Sequence, residues 1–232
     1  MTLPDLGTIL GVWAHPDDEG YLSAGLMTAS VAAGRRVVCV TATRGEAADP
    51  ERWPPAELAD IRTNELKNAL DILGVVEHHW LDYPDGGCHE VDPEEPVALL
   101  AALIDDVQPD TVLTFGPDGM TGHPDHIAVS DWTAAAVQRA NHRADLFFAT
   151  KTAEWADAFE QIGNDLGVMM GADQLPRTPP NELAIHYVMP DDVLDRKEAA
   201  MVAQESQSAE LRNAMGVARY REVLREEPFR RP

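Results

Sequence analysis

The chain predicts an α/β fold: a doubly wound, mainly parallel sheet with helices on both faces, Rossmann-like in its architecture. Two observations lead there. Short apolar runs rich in β-branched residues alternate with amphipathic segments of helical length, and glycine closes several of the latter. Strands joined through helices imply right-handed crossovers, and hence parallel pairing with both faces covered.

Taken in order, "TILGVWA" is the first strand, "EGYLSAGLMTASVAAG" a helix ended by Gly34, and "RRVVCVTAT" the second strand. In "PAELADIRTNELKNALDILG", Leu58, Ile61, Leu66, Leu70 and Leu73 recur at helical spacing and Gly74 marks the stop; "VVEHHWLDY" is the third strand. Helix "EPVALLAALIDDVQ", strand "DTVLTFG", helix "PDHIAVSDWTAAAVQRA" and strand "ADLFFAT" continue the alternation. Beyond Thr150 the regularity weakens: "GVMMGADQLPRTPPNEL" reads as a long loop, "AIHYVM" as a strand and "DDVLDRKEAAMVAQESQS" as a helix. The final "ARYREVLREEPFRRP" alternates charges as a short surface helix would. With no repeat or linker in 232 residues, one domain over 1–232 is expected, with a regular core to about residue 150 and a variable, substrate-shaping region after it.

Composition narrows the function. A net charge of −22, from 40 acids against 18 lysines and arginines, would repel phosphate backbones and anionic lipid, so nucleic-acid and membrane-surface binding are not expected. No stretch is long and apolar enough for a membrane helix, and the N-terminus lacks a signal peptide's basic region, so a cytoplasmic protein is expected. Only Cys39 and Cys88 are present, which rules out a cysteine-based zinc cluster; any metal must be held by histidine and carboxylate. Oligomeric state has no signature here.

"AHPDDEG", from Ala14 to Gly20, places His15, Asp17, Asp18 and Glu19 directly after the first strand. Proline and acids suit a helix start, with Pro16 as its first residue, and taken alone the segment needs no other account. Yet His15 and Asp18, at i and i+3, can reach one point, and a catalytic metal needs a third protein ligand. A second His-Pro-Asp group stands in "GHPDHIA", Gly122 to Ala128, just past the fourth strand. In a sheet of order 3-2-1-4-5, strands one and four are neighbours at the switch point where ligands bind, so the two motifs would face each other. There a metal ion with three protein ligands would keep an open position for water.

"AHPDDE" and "HPDH" resemble the signature motifs of the LmbE-like, or PIG-L, family of zinc-dependent N-acetylglucosaminyl deacetylases. The similarity also runs through "TRGE", "IRTNEL", "ALDILGV" and "DYPDGG". It implies metal ligation by His15, Asp18 and His126, with Zn²⁺ expected and Fe²⁺ or Co²⁺ able to take the same ligands. It implies Asp17 as general base, His123 as oxyanion stabiliser or proton donor, and Asp125 as the residue orienting His123. Arg62, Glu46 and Asp85 are implied as sugar contacts, and the expected partner is a small amino-sugar conjugate. Without the resemblance, Arg62 and Glu65 read as a surface ion pair, and "TRGE" and "PDGG" as ordinary turns. His78, His79, His89, His142 and His186 lack partner spacing and read as structural or exposed. Two departures stand out: Gln204 replaces a histidine that many relatives carry late in the chain, and Thr121 stands where some relatives place a tyrosine before the second motif. An amidase of larger thiol-conjugate amides and a non-catalytic zinc-containing carbohydrate-binding module are the rival readings.

Overall fold

The computed structural model describes residues 5–165 and 175–232. Along the chain the elements are β1 (Ile9–Trp13), α1 (Asp18–Leu22), α2 (Ala24–Ala32), β2 (Val37–Thr41), α3 (Pro55–Leu73), β3 (Glu77–Trp80), α4 (Glu94–Val107), β4 (Thr111–Phe115), α5 (Gly119–Gly122), α6 (Pro124–Arg139), β5 (Asp145–Ala149), α7 (Ala153–Asp165), β6 (Leu183–Val188), α8 (Asp191–Ala203), α9 (Glu205–Met215), α10 (Val217–Leu224) and β7 (Glu226–Arg230). One seven-stranded sheet runs β3-β2-β1-β4-β5-β7-β6. The first five strands pair in parallel in the expected order, and β7 pairs antiparallel with both β5 and β6.

Every residue of β1, β2 and β4 is buried, as two-sided coverage of a parallel sheet requires, and the core gathers around Ile9, Leu10, Val38, Val40, Val112 and Leu113. At the edge, β3 is only half-buried, and its "EHHW" is tied back through His78 Nε2 to Thr41 Oγ1 at 2.9 Å. Gly74 closes α3 at φ 80°, where its N–H reaches the Leu70 and Asp71 carbonyls.

The structure departs from the sequence-based expectation in four places. The helix expected over "EGYLSAGLMTASVAAG" is two, α1 and α2, because Ser23 leaves the helical region at φ −144°. Pro16 precedes α1 instead of opening it; the cap position is Asp17. Helix α7 fills part of the stretch where regularity weakens. The charged C-terminal stretch is a helix followed by β7, which lies inside the sheet with Glu227, Pro228 and Phe229 buried. It tolerates an acid because Glu227 is neutralised: Lys197 Nζ donates to its Oε1 at 2.7 Å, and the Gly25 and Leu26 N–H groups at the start of α2 donate to its two oxygens at 2.8 and 2.7 Å. Of the expected long loop, 167–174, which includes Met169 and Met170, lies outside the described residues. Among the described residues no helix is long and apolar enough to cross a membrane.

Candidate active site

Beyond Trp13 the chain turns sharply at the C-terminal end of β1. Asp17 sits at φ 113°, a backbone conformation costly for a side-chain-bearing residue. The turn is closed from inside: the His15 N–H donates to Asp18 Oδ2 at 2.7 Å and the Asp17 N–H donates to Glu19 Oε2 at 3.0 Å. This loop aims His15 and Asp18 at the start of α6, next to the neighbouring strand β4, where His126 stands.

Ring tautomers follow from the outer contacts. His126 Nδ1 lies 2.9 Å from the Gly119 carbonyl, so it carries the proton and leaves Nε2 with a lone pair. His15 Nε2 faces Asp85 Oδ1 at 3.0 Å and Asp125 Oδ2 at 3.3 Å, which places a proton there and turns the opposite nitrogen inward. The inward atoms converge: His15 Nδ1 to His126 Nε2 is 3.1 Å, His126 Nε2 to Asp18 Oδ1 is 3.4 Å, and His15 Nδ1 to Asp18 Oδ2 is 3.6 Å. Around a tetrahedral ion with ligand distances near 2.0–2.1 Å, neighbouring donors stand about 3.3–3.4 Å apart. The donor set therefore fits a small divalent cation in spacing and chemistry, and the positive charge between two ring nitrogens 3.1 Å apart is supplied either by such an ion or by a proton on His15. His123 belongs to the same group, its ring nitrogen lying within 4.8 Å of those of His15 and His126.

The electrostatics follow from burial and from this crowding. Burial pulls His15 down, but hydrogen bonds to Asp125 and Asp85 and the charge of Asp18 overcome it and hold its pKa at about 10. Burial lowers His126 to about 4. His123 is lowered too, by burial and then by His15. Burial raises Asp17 to about 7, with Arg62 pulling the other way. For Asp85 the cost of burial is outweighed by His15, leaving it at about 2.

A cavity of about 520 Å³ opens over the cluster, a volume typical of small-molecule sites. Of the residues singled out from sequence, His15, Asp17, Asp18, Arg62, Asp85, His123 and His126 line it. Asp125 and Glu46 are not among the described residues on its wall. The Asp125 carboxylate is fully buried behind His15, where it accepts from the Gly86 and Cys88 N–H groups at 2.7 and 3.0 Å. Only its backbone N–H touches His123, donating to Nδ1 at 3.1 Å. That is a consequence of helix capping: His123 is the N-cap of α6, so its ring accepts from the first turn. Glu46 stands behind Asp85, whose N–H donates to Glu46 Oε1 at 3.0 Å.

A family model for GlcNAc-PI de-N-acetylase, PIG-L, matches residues 10–137. The chain belongs to the PIG-L family. Among its relatives, the 1D-myo-inositol 2-acetamido-2-deoxy-alpha-D-glucopyranoside deacetylase of a Mycobacterium species (strain KMS) is 32% identical over 90% of this chain and 77% of its own length. The enzyme of the same name from Kineococcus radiotolerans is 36% identical over 56% of this chain, and the match spans 44% of that relative. Among solved structures, the conserved protein TT1542 from Thermus thermophilus superposes with a TM-score of 0.64 and 26% identity, over 97% of this chain and 94% of the other.

Within this PIG-L site, sequence reasoning did not find the supports. Arg62 is buried and does not pair with Glu65: Nη1 donates to the Gly45 carbonyl at 2.8 Å, Nη2 donates to the Pro16 carbonyl, and Nη2 lies 3.6 Å from Asp17 Oδ1. It packs so closely on Gly45, at φ +67°, that a Cβ there would fall 2.1 Å from Nη1. Glu65 instead accepts from the N–H and hydroxyl of Ser206. Gln204, at the junction of α8 and α9, donates to Glu19 Oε1 at 2.7 Å and so steadies the acid that accepts the Asp17 N–H. Thr121 lies on the cavity wall. His186 pairs with Glu226 at 2.8 Å on the neighbouring strand. No local spacing announces these contacts; Gln204 and Glu19 are 185 residues apart.

Proposed function

We propose that this chain is a divalent-metal-dependent hydrolase that removes the acetyl group from the nitrogen of an N-acetylglucosamine-type conjugate, with His15, Asp18 and His126 holding the metal and zinc as the resident ion. The observation that carries the reading is the convergence of three side chains, His15, Asp18 and His126, with contacts of 3.1 to 3.6 Å between them, beside a carboxylate, Asp17, that is adjacent in sequence to a ligand but not part of the set. When bound, the metal polarises the amide carbonyl and lowers the pKa of water toward about 7.

The side chains supply the rest. Asp17, raised by burial to about 7, is matched to neutral pH: it takes the proton of the attacking water and returns it to the leaving nitrogen. Arg62, 3.6 Å away, favours its ionised form before attack. His123, with Nδ1 occupied by the Asp125 N–H, presents Nε2–H to the negative charge that develops on the carbonyl oxygen. Asp85 and Asp125 fix the tautomer and tilt of His15 from behind. The unpaired, buried Cys39 and Cys88 suit a reducing compartment, and we keep the cytoplasm as the place of action.

The test is acetate release by zinc-loaded protein from a panel of N-acetylglucosamine conjugates and larger amides, with Asp17→Asn in parallel. Release that falls by about 10²- to 10⁴-fold in the variant supports the reading. Release that survives the substitution removes Asp17 from proton transfer, and no release from any acetamido sugar overturns the assignment.

A further inference from the structure

The far wall of the cavity carries a charge that the proposed chemistry does not use. Lys151 lines the cavity and is only 4% exposed. Its ammonium lies 4.2 Å from the centre of the Trp155 ring, and no described residue accepts a hydrogen bond from it. The acids around it are already engaged. Glu227 is bound by Lys197 and two N–H groups of α2, while Glu226 accepts from Thr152 Oγ1 at 2.7 Å and pairs with His186. Lys197, the other buried lysine here, shows what a settled ammonium looks like: it donates to Glu227 at 2.7 Å and to the Tyr21 carbonyl at 3.0 Å. Among the described residues Lys151, with three donors, has no such partner, and burial, with Lys197 adding to it, pulls its pKa down to about 7.

Its place in the sheet bears on what it meets. β5 pairs with β4 through Ala149 and Phe115, and β4 pairs with β1. Lys151 follows the end of β5 by two residues, just as His15 follows the end of β1. Their backbones therefore stand at the same height on the C-terminal edge, two strand spacings or roughly 10 Å apart. Between and beside them the wall is apolar, with Trp155, Phe159, Leu211 and Val223. A neutral polyol could accept from the ammonium but would not offset its charge.

We propose that Lys151 and Trp155 form an anion-binding subsite that selects conjugates carrying an acidic oxygen group, carboxylate or phosphate, on an apolar aglycone. The inference rests on the amino-sugar reading above for what occupies the metal end, but the subsite is defined by its own residues. In a cavity bordered by His15, Asp17, Asp18 and Asp85, an ammonium with no accepting partner among the described residues also sets the direction in which such a substrate enters.

The test compares phenyl N-acetylglucosaminide with its 4-carboxyphenyl and 4-phosphophenyl counterparts, measuring both acetate release and equilibrium binding by calorimetry to the metal-loaded protein. Expected is a roughly ten- to hundredfold preference, in kcat/KM and in Kd, for an acidic aglycone over the phenyl compound, the effect of one charge-assisted hydrogen bond in a desolvated site. Which acidic compound leads tells carboxylate from phosphate. In Lys151→Met, with folding checked by its unfolding midpoint, the ratio falls toward one; in Lys151→Arg a preference persists. Wild-type protein that binds the phenyl and acidic compounds equally overturns the subsite without any reference to a variant. Preference in binding with no acetate release leaves the subsite standing and removes the deacetylase reading.

Discussion

His15 is the residue on which the site turns, because its two ring nitrogens face different chemistry. Nδ1 joins His126 and Asp18, and Nε2 joins Asp85 and Asp125. A ligating imidazole is made more basic and held in one tautomer by a carboxylate on its far side, and loss of such a support typically costs 10- to 100-fold in metal affinity. Asp125→Asn is therefore expected to weaken zinc binding by about that factor, read by competition with a chromogenic chelator and independently of turnover. An unchanged affinity would show that Asp85 alone carries the support and that Asp125 serves only to hold the Gly86 and Cys88 N–H groups. The first of these roles is not legible in the motif. "HPDH" places Asp125 beside His123, and the natural reading pairs the neighbours; the fold points its carboxylate at a histidine 110 residues earlier.

At the scale of elements, β7 is the part that the sequence hides and the fold depends on. It joins β5 to β6 and delivers Glu227 to the start of α2, where a carboxylate completes the free N–H groups and suits the helix dipole. The ion pair that Glu227 makes with Lys197 has both side chains 0% exposed. Glu227→Ala would leave Lys197 buried with only the Tyr21 carbonyl, a loss expected to cost about 3–5 kcal/mol in urea unfolding. Removing the stranded charge as well, in Glu227→Ala with Lys197→Met, should recover much of it; a single variant costing under about 1 kcal/mol would mean that the clamp holds nothing. The same pair explains where legibility ends. Strands β1, β2 and β4 are contiguous apolar runs because helices cover both their faces, so alternation with helices reveals them and their order. His15, Asp18 and His126 are legible for a similar reason, since each motif is short and lies at a strand end. "EEPFR" looks solvated until Lys197, 30 residues upstream, is placed against it. Lys151 and Trp155 give no sequence signal either, because a lone lysine after a strand is usually exposed.

Over the whole molecule the balance of charge is lopsided: 40 acids against 18 lysines and arginines leave −22. Arg221 bridges Asp195 and Glu198, and Arg225 bridges Asp191 and Glu222, all on the C-terminal helices and the strand-linking turn. Such surface pairs contribute little each, under about 1 kcal/mol, whereas unbalanced acids repel one another across the whole surface. Both effects are screened by salt, so their difference can be measured. Raising ionic strength from about 0.01 M to about 1 M shortens the Debye length from about 30 Å to about 3 Å, which removes long-range repulsion almost entirely while the buried Lys197–Glu227 pair, out of contact with solvent, is hardly touched. The thermal midpoint of the metal-free protein is therefore expected to rise with sodium chloride over that range. Chloride has no strong affinity for such an acidic surface, so the rise would report screening. A midpoint that falls instead would mean that the arginine clusters outweigh the net charge, and stability would then reside in local ion pairs on α8 and α10, not in the relief of repulsion between the remaining acids.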